Sequence, residues 1–184
     1  MDIQYAEVGV CGLSCRLCPM HNTAAESRCA GCKSSGRMAV GCQFITCAVK
    51  KKGIEFCWQC TESGSCQKWK MHREAGKQHD SFKSYQKLEA DIQFIREHGV
   101  EEFETQQKTR EALLKEMLQT FNDGRSKSYY CIAATVLEAD ELQKVLEKAK
   151  EQSKDMPLKE KSKIIHSLLE NISSKKGHLL RLRK

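Results

Sequence analysis

In the stretch VGVCGLSCRLCPM, Val8 to Met20, three cysteines stand at a Cys-x3-Cys-x2-Cys spacing directly behind a short apolar run. The pattern continues as Cys29-x2-Cys32, Cys42-x4-Cys47, Cys57-x2-Cys60 and Cys66, so ten of the eleven thiols fall between Cys11 and Cys66. A Cys-x2-Cys pair lets two thiolates on one tight turn reach a single ion, and four sulfurs at about 2.3 Å make the usual structural zinc site. Gly31 lies inside one such turn, and Gly12, Gly41, Gly53 and Gly64 lie near others, supplying the backbone freedom the turns need. The spacing predicts two or more zinc ions. Cys15, Cys18, Cys29 and Cys32 form the first expected site and Cys42, Cys47, Cys57 and Cys60 the second, with Cys11 and Cys66 as spare or alternative ligands. An interleaved arrangement satisfies the same spacing.

The same thiolates could hold iron–sulfur clusters, and Cys18-Pro19 matches the Cys-Pro that closes bacterial ferredoxin motifs. The Cys-x2-Cys-x2-Cys run of those motifs is absent, so iron–sulfur is kept as the alternative to zinc. In radical-SAM enzymes a Cys-x3-Cys-x2-Cys motif follows the first strand of a large α/β barrel. Here seven more cysteines and then amphipathic patterns follow, and Leu17 stands before Cys18 where an aromatic is common. His21, His72 and His79 could each replace a thiol. Ten sulfurs already exceed two tetrahedra, however, so exposed or helix-capping histidines are expected. Trp58 and Trp69 are expected to pack over the sites, an exposed Trp58 being instead a partner-docking point. Cys131, in SYYCIAA, is read as a small buried hydrophobe rather than a nucleophile. No glycine-rich loop ends in Lys-Ser/Thr, and no paired carboxylates or Ser/His/Asp set stand out, so catalysis is not favoured.

The elements around these residues divide the chain. Residues 1–80 hold the ten clustered cysteines and only short apolar runs, which predicts an irregular module of short β and turn elements held together by metal. Residues 81–184 carry helical periodicity and predict an α-helical region packed on that module, making the whole mostly α. SFKSYQKLEADIQFIREHG repeats its apolar residues at helical steps, with Ser81 as cap and Gly99 as stop. VEEFETQQKTREALLKEMLQTFNDG predicts a second helix, and SKSYYCIAATVL with EADELQKVLEKAKEQ two more, or one with a break near Glu138. A last helix opens at Asp155 and Pro157 and closes at Gly177, and HLLRLRK is expected to be extended or frayed.

The 184 residues fit one domain or a domain with an appendage, and no apolar run approaches a membrane span. The N-terminus lacks a basic region followed by an apolar one, so a reducing cytoplasm is expected, where clustered thiols read as ligands rather than disulfides. The formal charge of +7 includes eleven Lys/Arg against seven Asp/Glu in residues 1–80. Two zinc ions each held by four thiolates would cancel that excess, so Lys33, Arg37 and Lys50–Lys52 read as compensation for thiolate charge. A nucleic-acid surface is the weaker inference.

The order CGLSCRLCPM, CAGC, CQFITCAVKKKGIEFCWQC and Cys66 resembles the domain-of-unknown-function family DUF3795 over roughly residues 8–70. SKSYYCIAATVLEADELQKVLEKA is similar to longer members of that family. One departure is Ser65, where the family usually places proline before the cysteine. The resemblance implies a Cys-rich, zinc-binding protein and no particular activity. The leading expectation is a binding or interaction protein with structural metal, its partner unidentified and possible protein or nucleic acid in kind. A redox protein or zinc enzyme is the alternative.

Overall fold

The computed structural model describes residues 2–184 apart from the side chain of Val40; Met1 of the expected module lies outside the described residues. Among the described residues the chain is mostly helical, with α1 (Ser35–Val40), α2 (Gln43–Ile45), α3 (Gln67–Gln78), α4 (Leu88–His98), α5 (Val100–Thr120), α6 (Lys127–Val136), α7 (Ala139–Gln152) and α8 (Leu158–Lys175). A π-helical turn, Thr46–Lys51, continues α2, and a 3-10 turn covers Cys57–Gln59. The only β pairing among the described residues is one antiparallel bridge between Val8 and Ser14.

The long helices start and stop for local reasons. Gly99, at φ 88°, ends α4 and opens α5. Leu137 and Glu138 leave helical geometry, and the Glu141 carboxylate accepts the Glu138 N–H in a capping box that starts α7. α8 begins after Pro157 and closes in a Schellman motif, Gly177 N–H bonding Ser174 O at 3.1 Å and His178 N–H bonding Ser173 O at 2.9 Å. α5 packs on α6 and α7, and α7 on α8. Leu114, Met117, Phe121, Tyr130, Leu142, Leu146, Ile165 and Leu169 fill the continuous core between them.

Three expectations need correction. The cysteine region is less irregular than its composition implies: α3 runs twelve residues, and residues 35–51 are largely helical. The helix expected from Ser81 begins only at Leu88. Asp80 takes the Tyr85 N–H at 2.7 Å, Ser84 Oγ takes the Gln86 N–H at 3.3 Å, and these side chains hold the backbone in turns. The C-terminal tail is extended but not frayed. Arg183 donates to Asp80 and to the carbonyls of Gly76 and Lys77, Asp80 N–H returns to Arg183 O at 2.9 Å, and Leu180 is buried.

The apolar residues threaded between the first cysteines reach separate places. Val8 joins Phe56, Ile95 and Phe103; Val10 joins Ile45 and Ala48; Leu13 joins Trp69, Leu88 and Ile92; and Leu17 enters the core of α5–α8. The turns around Cys11, Cys15 and Cys18 are thus anchored by separate apolar neighbours, Val8 and Leu13 partly on carbon from α4 and α5.

Candidate metal centre

The first two cysteines sit on a tight reversal. Gly9 N–H bonds Leu13 O at 2.8 Å, Gly12 N–H bonds Gly9 O at 2.9 Å, and Cys15 N–H reaches Glu7 O. Gly12 stands at φ 92°, and a Cβ there would lie 3.0 Å from Ile92 and 3.3 Å from Trp58, so glycine serves both the turn and the approach of α4. Gly31, at φ 102°, is similarly confined, since an added Cβ would lie 2.8 Å from Ala6 O. Cys57 N–H bonds Val10 O at 3.0 Å, which ties the Cys57–Cys60 turn to the first cysteine segment.

Six of the expected ligands, Cys11, Cys15, Cys18, Cys29, Cys32 and Cys42, line one cavity of about 450 Å³. All eleven cysteines are free thiols. The neighbouring Cys32 favours thiolate at Cys15, and Cys15 together with burial holds Cys32 protonated. Burial raises Cys11 too. A second neighbourhood surrounds Cys57. Burial pushes its thiol up to about 12, and the charges that Cys11, Cys66, Cys47 and Cys42 would carry push the same way. Cys11 and Cys42 thus belong to both groups. Cys60 turns aside, its sulfur accepting a 3.1 Å hydrogen bond from Lys52 Nζ. Cys66 caps α3. Among the described residues no three His, Cys, Asp or Glu side chains stand close enough together to hold one ion.

The charged residues do something different from simple compensation. Lys33 is buried; its Nζ bonds Glu55 at 2.9 Å and Tyr5 O at 3.1 Å and lies 3.8 Å from the Phe56 ring centre. Desolvation lowers its pKa against the pull of Glu55. Glu55 also receives the backbone N–H groups of Gln4 and Tyr5, so this pair clamps the N-terminal segment. Lys50 Nζ donates to Met38 O, and Lys52 pairs with Glu62. A cation that sequence reasoning missed, Lys83, is buried on the cavity wall and donates to Ser14 O. Arg16, between Cys15 and Cys18, reaches Glu104 at 3.1 Å and Glu111 at 2.8 Å and bolts the cysteine turn to α5.

The histidines also depart from expectation. His79 is exposed at the end of α3, as a capping residue should be. His21 is buried instead: its Nε2 accepts from Arg28 at 3.1 Å, so Nδ1 carries the proton and donates to Cys29 O at 3.0 Å. His72 is half-buried on the cavity wall, and burial lowers its pKa. Trp69 is buried beside Cys11, Cys57 and Cys66, and Trp58 stacks on Phe56 at 4.5 Å, so neither tryptophan is an exposed docking point. Cys131 is buried, its thiol pushed up to about 12 by desolvation. A Ser/His pair does occur, Ser126 Oγ lying 2.9 Å from His166 Nε2. The Ser126 proton goes to Asp123, so His166 must donate to Oγ and cannot act as its base; Ser126 is also buried.

Whether these residues suit a metal can be judged from their chemistry. The donors around the cavity are soft thiols, the kind that select zinc or iron–sulfur. The three buried side-chain atoms without a hydrogen-bond partner among the described residues are Ser14 Oγ, Trp69 Nε1 and His72 Nε2; Trp69 packs in a cluster with Cys11, Cys57 and Cys66, and His72 lines the cavity. Buried polar atoms are normally satisfied, and each orphan costs about 1–3 kcal/mol, so a polar or charged guest suits this region. The donor set fits; its sulfurs are neighbours that have not converged.

The molecule is thus a mostly helical protein with a thiol-lined cavity docked on its helices. Residues 7–71 match the model of the family described as Protein of unknown function (DUF3795). No curated protein and no solved structure matches the chain.

Proposed function

We propose that residues 1–80 form a zinc-binding module whose ions are structural, and that the protein acts as a binding or interaction protein in the cytoplasm. One observation carries this reading: six free thiols line a single cavity whose wall also holds His72, with its unpartnered Nε2. Cys11, Cys15, Cys18, Cys29, Cys32 and Cys42 would hold metal on the cavity side, and Cys47, Cys57 and Cys66 on the adjoining side. Cys60 stands at the edge beside Lys52. Bound zinc would supply the positive charge that keeps the thiolates deprotonated and together. This chain contributes apolar anchors that bring the turns within reach, and Lys83 and Lys52, whose ammonium groups favour thiolate nearby. No helix among the described residues is long and apolar enough to cross a membrane.

Metal analysis with thiol counting on anaerobically purified protein tests the reading. A colourless preparation with about two zinc ions per chain and few reactive thiols is the expected result. A metal-free chain with ten freely titrating thiols between Cys11 and Cys66 would overturn it. The size of the cavity favours one second reading, an iron–sulfur redox protein, because about 450 Å³ between six thiols exceeds what one tetrahedral ion needs. A brown preparation with visible absorbance would decide for it. Nucleic-acid binding has less support, since Lys50 and Lys52 are tied to chain partners; salt-dependent retention on a nucleic-acid matrix would revive it.

A further inference from the structure

His72 differs from the other histidines near the thiols. It lies on α3, the helix that Cys66 caps, and forms part of the cavity wall together with Cys11 and Cys42. Its ring is gripped from three sides: Phe44 at 4.8 Å, Tyr85 at 5.5 Å and Trp69 at 5.9 Å between ring centres. Those neighbours hold the imidazole in one place and offer its nitrogens little to bond with. Nε2 is buried and has no hydrogen-bond partner. His21, on the same wall, spends both ring nitrogens on Arg28 and Cys29 and has none to give.

A neutral imidazole nitrogen is a good ligand for zinc, at about 2.0–2.1 Å, and mixed sulfur–nitrogen shells are common in structural sites. Phe44 grips the ring from α2, the helix that Cys42 caps, and Cys42 lines the same cavity as His72. We propose that His72 Nε2 is a ligand in the cysteine-lined centre, giving one of its ions a sulfur–nitrogen shell. The inference rests on the metal-binding reading above and adds to it a residue that the cysteine spacing does not include.

X-ray absorption on the full chain carrying its metal tests this, at the zinc edge, or at the iron edge if iron is what the protein holds. The expected shell is mainly sulfur with one imidazole nitrogen. His72→Ala should remove the nitrogen signal and weaken metal affinity at one site tenfold or more. His72→Cys should restore affinity with an all-sulfur shell, and His79→Ala should change neither. An all-sulfur shell in the unsubstituted, metal-loaded protein overturns the role of His72 while leaving the metal reading intact. A chain that takes up no metal overturns both. The measurement on the unsubstituted chain decides the matter even if the His72 variants do not fold.

Discussion

Leu114, Met117, Phe121, Leu142, Leu146 and Ile165 meet in one sealed core between α5 and α8, whereas Val8, Val10, Leu13 and Leu17 go to four different clusters. The helical half buries its carbon against itself. The cysteine half lends single residues to neighbours, and α4 and α5 supply part of what they touch. The expectation that a metal must replace a missing core is therefore too strong: packing already brings the thiols near one another. The step from neighbouring sulfurs to a closed coordination shell is the one that the proposed metal would supply.

Removing the proposed metal should show that contrast most strongly. With a strong chelator under reducing conditions, hydrogen exchange is expected to rise through residues 8–66 and stay slow in α5–α8. Equal loss of protection in both halves would mean that they unfold as one unit. Next in size is the core itself. Leu114→Ala should cost about 3 kcal/mol in denaturant unfolding, because Leu114 is fully buried in the continuous core. Val10→Ala, in a small cluster, should cost about half as much.

The joint between the halves gives the next effect. Arg16→Met cuts the link to Glu104 and Glu111, which keep Lys108 and Lys115 as partners, and should cost about 2 kcal/mol in denaturant unfolding. The smallest effect concerns pH. Asp91, on α4 between the halves, has its carboxyl pushed up to about 7 by desolvation against the pull of Arg110, Lys87 and Lys83. An acid whose folded pKa exceeds its unfolded value of 3.8 costs stability as pH rises from about 4 through 7. Asp91→Asn should therefore unfold at higher temperature than the parent at pH 8. The two should melt alike near pH 4.

Asp80, by contrast, is pulled low. Burial alone would raise it, but Arg183 and the Tyr85 amide outweigh that effect. Its pin on the tail should hold above pH 3.8 and weaken as pH falls below it, which the exchange rate of the Arg183 amide would report.

Periodicity and punctuation were enough for most of the helical half. The stop at Gly99, the break at Glu138 and the closure at Gly177 are each read from local chemistry, because a helix end depends on a few adjacent residues. The start of α4 was missed because Asp80 and Ser84 satisfy the backbone of the segment before it, and Asp80 is itself held by Arg183 from the far end of the chain. α3 was hidden by the cysteine-rich composition around it. The spacing marks which thiols could act and says nothing of their company. That Cys60 turns toward Lys52, that Cys11 and Cys42 lie between two groups, and that His72 joins the wall all depend on contacts between distant segments.

What the sequence by itself determined is the inventory: ten clustered thiols, a helical remainder, and the places where most of those helices end. These follow from bonds and torsions spanning a few residues. Only the tertiary structure decided which thiols share a cavity and which buried atoms lack partners, because both depend on where α3, α4 and α5 come to rest against the turns.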